Sequence, residues 1–196
     1  MSDHIAQLPM YDWPEVRPAT DALWTEIRTA LQKRGIASPE TLNRNEATET
    51  AWLSPRLLLS QTCGLPLVQD LRDQVVVLGR FTYQDLSAAG DYHSVIVVRQ
   101  SESIDDPATL RGQRAAINHE DSYSGSLALK RWAARLAGET AFFASVIATG
   151  SHRDSVCAVA NGLADTAAID SVSWCLAKRI EPAAQSLSIV AKTGDR

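Results

Sequence analysis

Residues 114–126 read Arg114-Ala115-Ala116-Ile117-Asn118-His119-Glu120-Asp121-Ser122-Tyr123-Ser124-Gly125-Ser126. A short apolar run ends in a Ser- and Gly-rich turn. Beyond it, Leu129, Trp132, Ala133 and Leu136 recur at i, i+3, i+4 and i+7, the spacing of one helix face. The segment therefore predicts strand, turn and amphipathic helix. The unit repeats downstream. Ser145 to Thr149 is a strand and Gly150-Ser151-His152 a turn, with Val156, Val159, Ala160 and Leu163 on a helix face. Thr166 to Ile169 is a strand, Asp170-Ser171 a turn and Val172 to Ala177 a helix, with a last strand at Leu187 to Ala191. Alternating strand and helix signals predict an α/β fold with mainly parallel pairing.

Upstream, Ile5 to Met10 reads as a first strand. A helix starts near Pro18, carries Leu23, Ile27, Ala30 and Leu31 on one face, and stops at Gly35. Glu46 to Leu53 reads as helix up to Pro55, and Leu57 to Leu59 as a short strand leading into Gln61-Thr62-Cys63-Gly64. The β-branched runs Val75 to Leu78 and Tyr92 to Val98 read as strands. Trp13, Trp24, Trp52, Trp132 and Trp174 read as packing residues.

The chain has 196 residues, 45% of them hydrophobic, and a formal net charge of −4. That length suits one ordinary domain or two small lobes. With no basic cluster to neutralise phosphates, nucleic acid is not an expected partner. Cys63, Cys157 and Cys175 make an odd number without a C-x-x-C pair, which predicts free thiols. His4, His93, His119 and His152 lack metal-ligand spacing, so no metal and no cofactor is expected. G-x-S-x-G, P-loop and dinucleotide fingerprints are missing, so the chain reads as a binder without catalytic residues.

Each strand-to-helix turn has two readings. Ser122, Ser124, Ser151 and Asp170 suit helix N-capping. The same turns, with His152 as a further donor, also suit anion capture, because a helix start leaves amides unpaired and carries partial positive charge. In open α/β sheets ligands sit outside the carboxyl ends of the strands. Three such turns on one sheet favour a shared anion.

The order of these turns resembles the phosphate/phosphite/phosphonate-binding proteins of ABC importers. The resemblance rests on Leu110-Arg111-Gly112 to Trp132, on Phe142-Phe143 with Thr149-Gly150-Ser151-His152 and Ser155, and on Gly162-Leu163-Ala164-Asp165 with Ala168-Ile169-Asp170. Gln61-Thr62-Cys63-Gly64-Leu65-Pro66 adds to it. The resemblance implies a two-lobed periplasmic-binding-protein-like type II fold, C-terminally shortened. One lobe would be residues 1–91 plus 181–196, and the other 92–180 with the anion-binding turns. Hinges near Tyr92 and Leu187 would let the lobes close on a small anionic, phosphate- or phosphonate-like solute. It also implies ligand-binding roles for Tyr11, Gln61, Thr62, Tyr92, Ser122, Tyr123, Ser124, Ser151, His152 and Asp170, with an ABC permease as partner. A homodimer is one way to complete the shortened lobe. Without a signal peptide the chain reads as cytoplasmic as given, and as periplasmic if a signal has been removed. The alternatives are a cytoplasmic sensor or effector-binding domain of the same fold, and a transferase or biosynthetic enzyme on the scaffold.

Overall fold

The computed structural model describes residues 2–83, 86, 92–138 and 140–194. The expected lobe boundary at residue 91 and the terminal pair 195–196 lie outside them. The chain divides into two compact units, Met1–Leu78 and Gly79–Arg196.

In the first unit, β1 (Ile5–Ala6) pairs in parallel with β2 (Leu57–Leu59). The chain then turns through Pro9–Tyr11 and Pro14–Val16 into α1 (Arg17–Gln32). The helix starts one residue before Pro18, whose missing N–H costs nothing in a first turn. Trp24 on α1 is buried against Ala6, Leu8 and Leu42. Arg44 bridges Asp12 at 2.6 Å and Asp21 at 2.8 Å, tying a loop to the start of α1. Two short helices, α2 (Thr48–Trp52) and α3 (Gly64–Gln69), complete this unit.

Two expectations fail here. The strand predicted over Ile5 to Met10 ends at Ala6, because Pro9 opens a tight turn and removes a ladder donor. Val75 to Leu78 forms no strand, and Val76 is 82% exposed. β-branched residues favour extended backbone, but a strand exists only where a second one completes its ladder, and none pairs with this run among the described residues.

The second unit holds a five-stranded sheet in the order β5-β4-β6-β3-β7. Its strands are β3 (Ser94–Arg99), β4 (Arg114–Ile117), β5 (Ser145–Ala148), β6 (Thr166–Asp170) and β7 (Leu187–Lys192). β5, β4 and β6 run parallel. β3 runs antiparallel to both β6 and β7, so the sheet is mixed rather than mainly parallel. Periodicity reports which residues are buried, not which way a strand runs. Helices α4 (Ala128–Ala137), α5 (His152–Ala160) and α6 (Ser171–Ile180) follow β4, β5 and β6. β3 is buried along nearly its whole length, which explains its unbroken apolar run. Ile96, Val98, Ile117, Leu129 and Phe142 form one core cluster on this sheet. At the edge, β5 stays exposed.

β7 pairs with β3 through Arg99↔Leu187 and Val95↔Lys192. β7, part of the segment 181–196 expected in the first lobe, pairs with β3 within the unit Gly79–Arg196. At the end of the sheet where β4 and β6 begin, the Asp165 carboxylate accepts from Arg114 N, Nε and Nη2 at 2.8–2.9 Å and from Arg99 Nη2 at 2.8 Å. Asp165 is held well below the usual carboxylate range, chiefly by the Arg114 hydrogen bond.

Candidate functional site

The parallel strands set the geometry. Ile117 lies opposite Ala148, so β4 and β5 end level, and β6 ends beside them at Asp170. β3 runs the other way, so its first residue, Ser94, pairs with Asp170 at this same edge. The carboxyl edge thus collects Tyr92, the turn after β4, the turn after β5, and Asp170. Seven of the ten expected site residues are there.

The turn after β4 enters α4 through a π turn, Tyr123–Leu127. Ser122 caps it: its Oγ accepts from Gly125 N at 3.1 Å, and its carbonyl accepts from Leu127 N at 3.0 Å. The amides of Tyr123 and Ser124 precede the first intrahelical bond and remain as donors. Ser124 is 3% exposed. Its carbonyl accepts from Ser94 Oγ at 2.9 Å, which staples the turn to β3. Its hydroxyl lies 2.8 Å from His152 Nε2 and 3.4 Å from Ser122 Oγ. Tyr123 packs on Tyr92 with ring centroids 6.3 Å apart, and both are exposed.

Gly125 has no room for a side chain. A Cβ there would lie 1.9 Å from Asn118 Oδ1 and 3.2 Å from His152 Cε1. Asn118, at the end of β4, is fixed by its backbone carbonyl, which accepts from Gly150 N at 2.8 Å. Gly150 takes φ +95°, the region glycine favours. Among the described residues Asn118 Oδ1 and Ser126 Oγ are buried without a hydrogen-bond partner, and His152 Nδ1 is buried with only the loose pull of the Ala168 carbonyl. Unpaired buried polar atoms are costly and call for an explanation.

His152 opens α5. Its ring is pushed down to about 4, first by burial and further by His119, against the opposing pull of Asp170 and the Ala168 carbonyl. The residue as a whole is only half-buried, while Nδ1 is inaccessible. Ser151 is engaged in capping: its Oγ accepts from Asp154 N at 3.0 Å and donates to Asp154 Oδ2 at 2.6 Å. Asp170 is 1% exposed and caps α6, accepting from Ser173 N at 2.8 Å. Capping and site geometry thus coexist on these turns. Burial and then the Asp170 charge push Tyr83 up to about 12.

Tyr11, Gln61 and Thr62 belong to the first unit. Gln61 Oε1 accepts from Met10 N at 3.2 Å, beside Tyr11, and Thr62 Oγ1 donates to the Cys63 carbonyl at 3.1 Å. Two residues at the carboxyl edge escaped the sequence reading as site residues, Ser94 and Asn118. A lone hydroxyl opening an otherwise apolar strand was the signal for Ser94. For Asn118 it was the polar residue ending β4.

The family described as ABC transporter, phosphonate, periplasmic substrate-binding protein matches residues 5–195. The chain belongs to this family. No curated protein matches it. Similar solved structures include PhnD1 of Prochlorococcus marinus (MIT 9301) in complex with methylphosphonate, at 22% identity and TM-score 0.47, covering 52% of this chain and 41% of that one. XAC2383 of Xanthomonas citri bound to ATP is 22% identical with TM-score 0.45, covering 53% and 42%. A binding protein component of an ABC phosphonate transporter from Pseudomonas aeruginosa is 21% identical with TM-score 0.45, covering 53% and 36%. This family member spans about two fifths of the length of these structures. Among its described residues no helix is long and apolar enough to cross a membrane, and no cluster of His, Cys, Asp and Glu could hold a metal ion.

Proposed function

We propose that this family member binds a small oxyanion of the phosphate and phosphonate class on the turns at the carboxyl edge of its second unit, as the solute-binding component of an ABC-type importer with a permease as partner. The observation that carries this reading is the meeting of two turns at one point. Ser124 and His152 come from different strand-to-helix junctions and lie 2.8 Å apart beside a helix start with unspent amides. Tetrahedral oxyanions take several donors at once, and hydrogen bonds to a charged partner contribute about 1.5–3 kcal/mol each. The family's phosphonate description agrees with that chemistry.

The Ser124–His152 pair binds rather than catalyses. A general base works best with a pKa near the operating pH, and this ring sits near 4. No acid bonds to its Nδ1 to orient it, unlike the arrangement of a hydrolytic triad.

The test is a thermal-shift and calorimetric screen against phosphate, phosphite, methylphosphonate, 2-aminoethylphosphonate, sulfonates and small carboxylates. A ligand that binds only the folded chain raises its stability by mass action. Ser124→Ala should weaken the best hit about tenfold, equivalent to about 1.4 kcal/mol. The reading fails if none of these anions binds, or if Ser124→Ala and His152→Ala both keep full affinity.

A further inference from the structure

Carboxylate charge reaches the proposed oxyanion site. Among the described residues, the charged and titratable groups acting on the His152 ring are Asp170, at the end of β6, and His119, in the turn after β4. Arg153, the next residue, donates instead to Glu181 at 2.7 Å. On α5 itself, Asp154 adds a second carboxylate, held by the Ser151 hydroxyl. Tyr83, which feels Asp170, is pushed toward the neutral phenol. An anion arriving at Ser124 therefore meets hydrogen-bond donors and a buried carboxylate, and among the described residues no lysine or arginine acts on the ring.

The ring is the group that can answer this. In the empty protein it is neutral and carries one N–H. With that proton on Nδ1, His152 Nε2 accepts from Ser124, and the serine proton is spent inside the protein. With the proton on Nε2, Ser124 is free to donate outward, but the inaccessible Nδ1 keeps a bare lone pair on a ring that the Ala168 carbonyl favours protonated. Only the doubly protonated ring donates from Nε2 to Ser124 Oγ and from the Nδ1 side at once. That form frees the Ser124 hydroxyl proton for a ligand and supplies one positive charge.

We propose that an oxyanion seated on the Ser122–Ser124 turn draws a proton from solvent onto His152, so that each anion binds together with about one proton. No bond in the ligand is made or broken: neutral ring, proton and anion combine into an imidazolium–anion pair. The inference rests on the anion-binding reading above and adds its proton coupling.

The probes are methylphosphonate and methanesulfonate, the latter holding one fixed charge across the working range. Calorimetry at pH 7.5 in two buffers of different ionisation enthalpy counts the protons taken up. The wild-type chain should take up about one proton more per anion than His152→Gln, and its affinity should fall up to tenfold per pH unit where the variant's does not. His119→Gln should behave as wild type. In ¹⁵N spectra of labelled histidine, the ring signals lost in His152→Gln should move to imidazolium positions on saturation. Equal proton uptake in wild type and His152→Gln, or a ring that stays neutral at saturation, overturns the proton coupling and leaves anion binding standing. An absence of heat and of ring shifts with both probes overturns the coupling and counts against the binding reading as well.

Discussion

Adding a single methyl group at Gly125 should damage the second unit through one identifiable contact. The new Cβ would sit 1.9 Å from Asn118 Oδ1 and 2.9 Å from Asn118 Cγ. Both atoms belong to the Asn118 side chain, so the amide must swing out of its place beside the turn. Overpacking of this kind costs about 1–3 kcal/mol. Alanine recovers up to about 1 kcal/mol over glycine within a helical turn. The net loss for Gly125→Ala should therefore be about 1–2 kcal/mol. Asn118→Ala removes the atom that is struck. It also removes a buried acceptor that has no partner, so alone it should cost under about 1 kcal/mol. In the double variant the Asn118 clash is gone, while the 3.2 Å approach to His152 Cε1 stays and offsets the helix gain, so stability should return to within about 0.5 kcal/mol of Asn118→Ala alone. The coupling between the two sites, about 1–2 kcal/mol, is read from a double-mutant cycle by urea unfolding followed by circular dichroism. Additive losses, or a Gly125→Ala chain as stable as wild type, would refute the packing argument.

Three further outcomes follow from the same structure. Asp165→Asn strips the shared carboxylate from Arg99 and Arg114 and should lower the urea midpoint of unfolding, less than for a fully buried pair because Arg114 is half exposed. Because the folded Asp165 pKa is depressed, its stabilisation is present above the unfolded value near 3.9 and is lost as pH falls toward the folded value. The Asn variant should therefore lose less stability than wild type on acidification below pH 4, as followed by urea midpoints. His152 has the opposite charge type but also a lowered folded pKa, so the unfolded chain binds more protons between about 6.5 and 4. Wild-type stability should fall over that window by at most about 3 kcal/mol, at about 1.4 kcal/mol per pH unit, and His152→Gln should flatten the fall. Ser94→Ala removes the hydroxyl that holds the Ser124 carbonyl and should cost about 1 kcal/mol in thermal unfolding. It should also weaken oxyanion binding without touching the ligand.

Local patterns in the sequence are enough to show that the second half builds strand–turn–helix units and that their turns carry Ser, Gly, His and Asp. An apolar run such as Val95 to Val98 must be buried wherever it goes, and a serine ahead of an amphipathic stretch caps it. Those are consequences of neighbouring residues, so they are legible without a fold. The order of strands was not legible. The antiparallel β3, the return of β7 to its flank, and the unpaired state of Val75 to Leu78 depend on partners distant in the chain. Nor could spacing tell that Ser124 and His152, 28 positions apart, would come within hydrogen-bond distance. Only level ends on β4 and β5 achieve that. The same holds for Asn118, an ordinary polar residue in the sequence that closes the space over Gly125 once the strands are aligned. Sequence thus determined which groups could hold an anion. The tertiary structure decided which of them meet, because hydrogen bonds act over about 3 Å, and only the sheet's register sets distances that fine between segments so far apart.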